Sequence, residues 1–309
     1  MCFLKAINYT GLNYGMNGEE RSKESLRMMR AKTACNAVII VLGALQETFH
    51  TEWIDYKHHF MPTDEELADF IQYSRSLGLK VILKPIVNCK DGTVRSCINF
   101  SEQGLSSEGK WVSWFLNYTD YQIHYARLAK DTKCDMLIFG SQLVKTEHKE
   151  KLWREVISQV REYYNGQLCY EADKYQEDGV RFWDAVDVIG TSGYYGQKCL
   201  GHELDRIKKI VEKYHKTFVI TECGCKSCEG SALAPDQWIL SGSLSYAEQI
   251  SYYKTLFEEC SKRNFIKGIG IWAWQSRLDN KEICEKDRGY FLYGKPVCDL
   301  IHMAWKENQ

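Results

Sequence analysis

Proline is scarce, at 4 residues in 309, and no Pro/Gly/Ser-rich or low-complexity stretch divides the chain. No linker is marked, so one domain spanning residues 1–309 is expected. An excess charge of either sign is missing too: 40 Lys and Arg face 41 Asp and Glu, for a formal charge of -1. Nucleic acid and anionic membrane surfaces both require clustered basic charge, and neither is an expected partner. No run reaches the roughly 18 apolar residues needed to cross a bilayer. The start, Met1-Cys2-Phe3-Leu4-Lys5-Ala6, lacks a basic region followed by a long apolar run, so a cytoplasmic location is expected. No GxGxxG or GxxxxGK[ST] follows the first strand, and no HExxH occurs.

Cysteine is plentiful, with 13 residues, but the number is odd and the residues are scattered from Cys2 to Cys298. That pattern fits reduced thiols used as small buried hydrophobes. Cys223-x-Cys225-x-x-Cys228 has no second knuckle to complete a zinc site. Neither a metal nor a cofactor is expected.

The sequence is rich in aromatic residues, which make up 13%. It also alternates short apolar runs with amphipathic stretches throughout. Strands are expected at Phe3–Tyr9, Ala37–Leu42, Lys80–Val87, Met136–Gly140, Gln167–Ala172, Val186–Thr191, Thr217–Thr221 and Gly268–Ala273. Helices are expected at Glu19–Ala34, Thr63–Leu77, Asp120–Thr132, Glu147–Tyr164, Leu204–Tyr214 and Ser245–Arg263, with capping boxes at Thr63-x-x-Glu66 and Ser245-x-x-Glu248. Eight strand–helix repeats predict an α/β fold, a (β/α)8 TIM barrel of parallel strands. Two long irregular connections are expected, at 88–114 and 223–242.

In such a barrel the active site lies at the carboxyl ends of the strands. Those ends carry Asn8 and Tyr9, Gln46 and Glu47, Lys84 and Asn88, Gln142, Glu171 and Asp173, Tyr194 and Tyr195, Glu222, then Trp272, Trp274 and Gln275. An acidic, amide-bearing and aromatic lining suits a neutral polyhydroxylated ligand. Glu222 stands out, because the apolar run Phe218-Val219-Ile220 delivers a carboxylate to its own strand end. Trp272 and Trp274 are expected on opposite strand faces, with at most one toward the pocket. Trp111 and Trp114 are either outer sugar platforms or core.

Several of these segments together resemble glycoside hydrolase family 113. They are Ile138-Phe139-Gly140-Ser141-Gln142-Leu143-Val144-Lys145-Thr146-Glu147 with Trp153-Arg154-Glu155, Asp187-Val188-Ile189-Gly190 with Tyr194-Tyr195, Ile220-Thr221-Glu222 with Gly224-Cys225, and Gly270-Ile271-Trp272-Ala273-Trp274. The likeness falls at each strand end in order and spans essentially the whole chain.

The resemblance implies a retaining glycosidase acting on β-1,4-mannan or manno-oligosaccharides, endo- or exo-acting. It places the nucleophile at Glu222 and the acid/base at position 142, where this sequence has Gln rather than Glu. An amide has no titratable proton to give a leaving group, so an inactive Glu→Gln variant is expected. Because the rest of the site is intact, a deliberate substitution is favoured over a natural non-catalytic binding barrel. A related enzyme for another β-linked hexosan is the remaining alternative. Asn8, Lys84, Asn88, Asp173, Tyr194, Tyr195, Trp272 and Trp274 are the candidate substrate-binding residues, and a monomer is expected. Glu147, at the start of the next helix, is a poor substitute acid.

Overall fold

The computed structural model describes residues 3–12, 20–101, 107–239 and 241–306; Met1, Cys2 and Glu19 lie outside them. Eight parallel strands close into a barrel in sequence order: β1 (Leu4–Thr10), β2 (Ala37–Gln46), β3 (Lys80–Cys89), β4 (Met136–Ser141), β5 (Gln167–Asp173), β6 (Val188–Ser192), β7 (Thr217–Cys223) and β8 (Ile266–Gln275). The helices are α1 (Glu20–Thr33), α2 (Asp64–Ser76), α3 (Ser107–Asp131), α4 (Glu150–Tyr163), α5 (Leu200–Tyr214), α6 (Tyr246–Ser261), α7 (Lys281–Lys286) and α8 (Val297–Lys306). This is the expected (β/α)8 architecture, with one irregularity: β5 and β6 are joined by 3-10 turns at Glu177–Gly179 and Trp183–Ala185 rather than by an α-helix.

Two apolar layers follow from strand alternation. Leu4, Ala6, Ala37, Ile39, Val41, Ile82, Ile86, Met136, Ile138, Cys169, Val188 and Val219 fill the lumen. The opposite strand faces pack against the helices in a larger cluster. Gly270 is closely packed against β7: a Cβ there would run into the Thr221 carbonyl oxygen and come within 2.8 Å of Ile39 Cδ1, leaving room only for glycine.

Helix α3 begins much earlier than Asp120, inside what composition suggests is a long loop. Trp111, Trp114, Phe115, Tyr118, Tyr121 and Tyr125 recur at helical spacing and are all buried. Trp111 and Trp114 are therefore core, with Trp114 stacked on Tyr118 at 4.8 Å. The capping box at Thr63 is complete: its hydroxyl accepts from Glu66 N at 3.2 Å, and Glu66 accepts from Thr63 N at 2.9 Å. At Ser245 only half of the box forms, because the Glu248 carboxylate accepts from Ala232 N at 3.0 Å instead. Asp135 and Asp187 sit at the amino end of the barrel, where their carboxylates accept from Val81 N and Leu168 N. Among the described residues, no helix is long and apolar enough to cross a membrane.

Candidate active site

The carboxyl ends of the strands surround a cleft of about 470 Å3, lined by Asn88, Arg95, Gln142, Glu222, Trp238 and Trp272 among others. Register explains how Glu222 reaches it. Val219 points into the lumen, so plain alternation would turn Glu222 outward. Thr191 of β6 pairs with Ile220, but Ser192 pairs with Glu222. The bulge leaves Thr221 unmatched and reverses the phase, bringing Glu222 to the inner face.

Glu222 is 3% exposed. Its Oε1 accepts from the Tyr194 hydroxyl at 2.7 Å, and its Oε2 accepts from Lys84 Nζ. Lys84 also donates to Glu171 Oε2 at 2.7 Å, and Ser141 Oγ donates to Glu171 Oε1 at 2.7 Å. One ammonium thus lies between two buried carboxylates. Burial pushes the Glu222 carboxyl up, but the Lys84 charge and the bonds from Lys84 and Tyr194 outweigh it and hold the group below its ordinary value. Burial drives Glu171 up, and the neighbouring Glu222 charge adds to that against the pull of Lys84. Burial alone would discharge Lys84, but the two carboxylates keep it charged. Lys84 is therefore an ion-pair partner, fully buried, rather than a free donor for hydroxyls.

Gln142 lies one residue past β4 with φ at 56°, in the left-handed region that side chains rarely adopt. Its N–H donates to the Glu171 carbonyl at 2.9 Å. Its Oε1 accepts from Arg95 Nη1 at 3.2 Å, while Arg95 Nη2 donates to Asn88 Oδ1 at 2.7 Å and Nε to Val87 O at 3.2 Å. Glu147 does not face the cleft: it is buried behind β5, where it accepts from Tyr170 OH at 2.8 Å.

Trp272 faces the lumen, its ring centroid 6.0 Å from Lys84 Nζ. Trp274 faces the helix layer, with Nε1 donating to Ser25 Oγ at 3.0 Å. Alternation alone would put residues two apart on one face. The two indoles separate because the β1–β8 register slips, with Asn8 opposite Trp272 but Tyr9 opposite Trp274. Tyr195 also lies outside the barrel wall, its hydroxyl bonded to Thr191 Oγ1 at 3.1 Å and to Glu177. Neither Trp274 nor Tyr195 is brought to Glu222.

Asn8 is fully buried, and its Nδ2 donates to the Thr221 carbonyl at 3.1 Å, tying β1 to β7. Asp173 is at the inner rim, where it accepts from Ser192 Oγ at 2.8 Å. Arg95 and Trp238 are cleft residues that sequence reasoning missed. Each lies in a connection already marked as long, which was the available signal. Trp238 is 57% exposed, 5.0 Å from Tyr290 and 6.2 Å from Tyr194 between ring centroids. The buried thiols of Cys223 and Cys225 are raised by desolvation, that of Cys225 to about 12. Among the described residues, no group of three or more His, Cys, Asp and Glu is arranged to hold a metal ion.

A parallel barrel whose strand-end cleft presents an ionised carboxylate, an amide and indole faces is built like the barrel glycosidases. The profile of Glycoside Hydrolase Family 113 matches residues 9–295, and the chain belongs to that family. It is similar to a GH113 β-1,4-mannanase solved as a complex, with 43% identity, 99% of each chain covered and a TM-score of 0.96. It is also similar to the GH113 β-mannanase AaManA from Alicyclobacillus acidocaldarius in complex with ManMIm, at 32% identity over 100% of this chain and 99% of that one, TM-score 0.94. A Ruminococcus gnavus β-glucuronidase, at 14% identity and TM-score 0.68, shares the fold over 50% of its own length. No curated protein sequence matches the chain.

Proposed function

We propose that this chain is a single-domain retaining glycosidase for β-1,4-mannan or manno-oligosaccharides, with Glu222 as nucleophile and position 142 as the acid/base site. The observation that carries the reading is the Glu222 carboxylate, held ionised by Lys84 and Tyr194 in the cleft that Gln142 and Trp272 also line. Retaining hydrolysis uses two carboxyl groups roughly 5–5.5 Å apart, one attacking the anomeric carbon while the other protonates the leaving oxygen. A low-pKa nucleophile fits the first role. The second needs a proton that the Gln142 amide does not have, so as it stands the chain binds the substrate and turns it over extremely slowly. The mannan preference is supported by the mannanase relatives at 43% and 32% identity.

The experiment is a comparison of this chain with its Gln142→Glu variant on mannan, glucomannan, cellulose and xylan. Hydrolysis of the mannans by the variant alone is expected. Equal turnover by the unaltered chain would overturn the assignment of position 142. Preferential cleavage of cellulose or xylan would move the substrate to another hexosan or to a pentosan.

A further inference from the structure

Glu171 has no part in the two-carboxylate scheme, yet it touches both of its halves. Its side chain receives Lys84 Nζ at 2.7 Å and Ser141 Oγ at 2.7 Å, and Lys84 in turn bonds Glu222. Its backbone carbonyl receives the N–H of residue 142 at 2.9 Å, fixing a left-handed residue at the end of β4. Lys84 and Glu171 are fully buried, so neither charge is screened by water.

We propose that Glu171 is the positioning residue of the site. Through Lys84 it aims the Glu222 carboxylate, and through its own carbonyl it sets the place of residue 142. One residue of β5 thereby fixes the separation of the two catalytic positions. The proposal rests on the reading of Glu222 and residue 142 given above.

The electrostatic consequence has a definite sign. Lys84 currently divides its charge between two carboxylates. If Glu171 becomes neutral, the whole ammonium charge acts on Glu222, whose carboxylate is then more stable and less basic. Also acting on Glu222 are Tyr194, from the end of β6, Arg95, from the loop after β3, the uncharged Cys223 at the end of β7, and Tyr290, from the segment between α7 and α8. Facing Glu171 are Lys84, Ser141, Glu222 and the uncharged Cys169. None of these changes in the variant.

The test uses an aryl β-mannoside with a very good leaving group, which needs no acid and so reports on Glu222 in the chain as it stands. Release of the phenolate and the mass of the glycosylated protein are followed against pH. For Glu171→Gln, the acid limb of the acylation rate is expected to move to lower pH, and the plateau to fall by roughly tenfold as the nucleophile loses basicity and alignment. Ser141→Ala removes one bond to Glu171 and should give a smaller fall, which keeps the test usable if Glu171→Gln folds poorly. A lowered melting temperature with an unchanged limb and unchanged plateau in the folded fraction overturns the proposal and leaves Glu171 a mere core ion pair. If the unaltered chain forms no glycosyl-enzyme at Glu222, the functional reading itself is overturned, and the two failures are told apart.

Discussion

Arg95 donates from Nη1 to Gln142 Oε1 at 3.2 Å, so a fixed cation stands beside the position proposed above as the acid/base site. A glutamate of the same length at 142 would feel two opposed influences. Arg95 favours its charged form, and the Glu222 carboxylate across the cleft favours the neutral one. Gln142→Glu is expected to raise hydrolysis of manno-oligosaccharides by roughly 10²–10⁴-fold, the usual worth of a placed general acid. In that background Arg95→Met should shift the alkaline limb of kcat/KM to higher pH, since the acid then keeps its proton longer. An inert Gln142→Glu variant that still binds mannan by calorimetry would favour a natural binding barrel.

Tyr194 supplies one of the two hydrogen bonds to the Glu222 carboxylate, at 2.7 Å. Both bonds favour the ionised form, so losing one should raise the pKa of Glu222. Tyr194→Phe keeps the ring and removes only the donor. Acylation by an activated aryl mannoside should slow about tenfold, in line with a lost bond to a charged group, and its acid limb should move to higher pH. The opposite direction is expected for Glu171→Gln, so measuring both limbs separates a lost donor from a lost negative charge.

Trp238 lines the cleft from the connection after β7, more than half exposed and in ring contact with Tyr194 and Tyr290. Trp238→Ala should therefore leave the melting temperature nearly unchanged. In the Gln142→Glu background, the KM for manno-oligosaccharides should rise by about five- to tenfold from the lost ring face, a cost near 1 kcal/mol. Trp274→Phe should do the reverse, because its indole N–H bonds Ser25 Oγ inside the helix layer. Stability falls while KM stays. A KM effect at 274 without one at 238 would contradict the placement of the two rings.

The barrel was legible because its evidence is periodic. Eight apolar runs such as Ala37–Leu42 and Lys80–Val87 and the helices between them leave little choice of topology, and a strand-end carboxylate such as Glu222 is visible as soon as the strands are counted. Glu222 lies in the pocket and Trp272 and Trp274 lie on opposite faces as expected; what escaped was the cause, a single-residue slip in each case. The bulge at Thr221 turns Glu222 inward, and the slip after Asn8 sends Trp274 outward; neither has a marker in composition. Lys84 read as a polar strand-end donor because sequence does not reveal that β5 brings Glu171 to within 2.7 Å of it. Arg95 was missed since it reaches position 142 across 47 residues of sequence. The extent of α3 was misread for a different reason: its apolar stripe is built of Trp and Tyr, which composition associates with binding as readily as with core.

Glu147 gives the fold a pH dependence separate from catalysis. Burial against Tyr170 is the main cause that lifts its carboxyl from an ordinary 4.5 to about 8; the Tyr170 hydroxyl opposes the lift, while Asp173 and Glu177 add to it. A carboxyl raised on folding binds its proton more tightly in the native state. Its contribution to stability is thus complete below about pH 4.5 and is lost as pH rises through about 8. Glu147→Gln keeps an acceptor for Tyr170 and carries no charge to bury. The melting temperature of the variant should equal that of the parent in acid, then exceed it increasingly between pH 5 and 8. Equal melting temperatures across that range would mean that Glu147 reaches water in the native state and that its burial behind β5 is wrong.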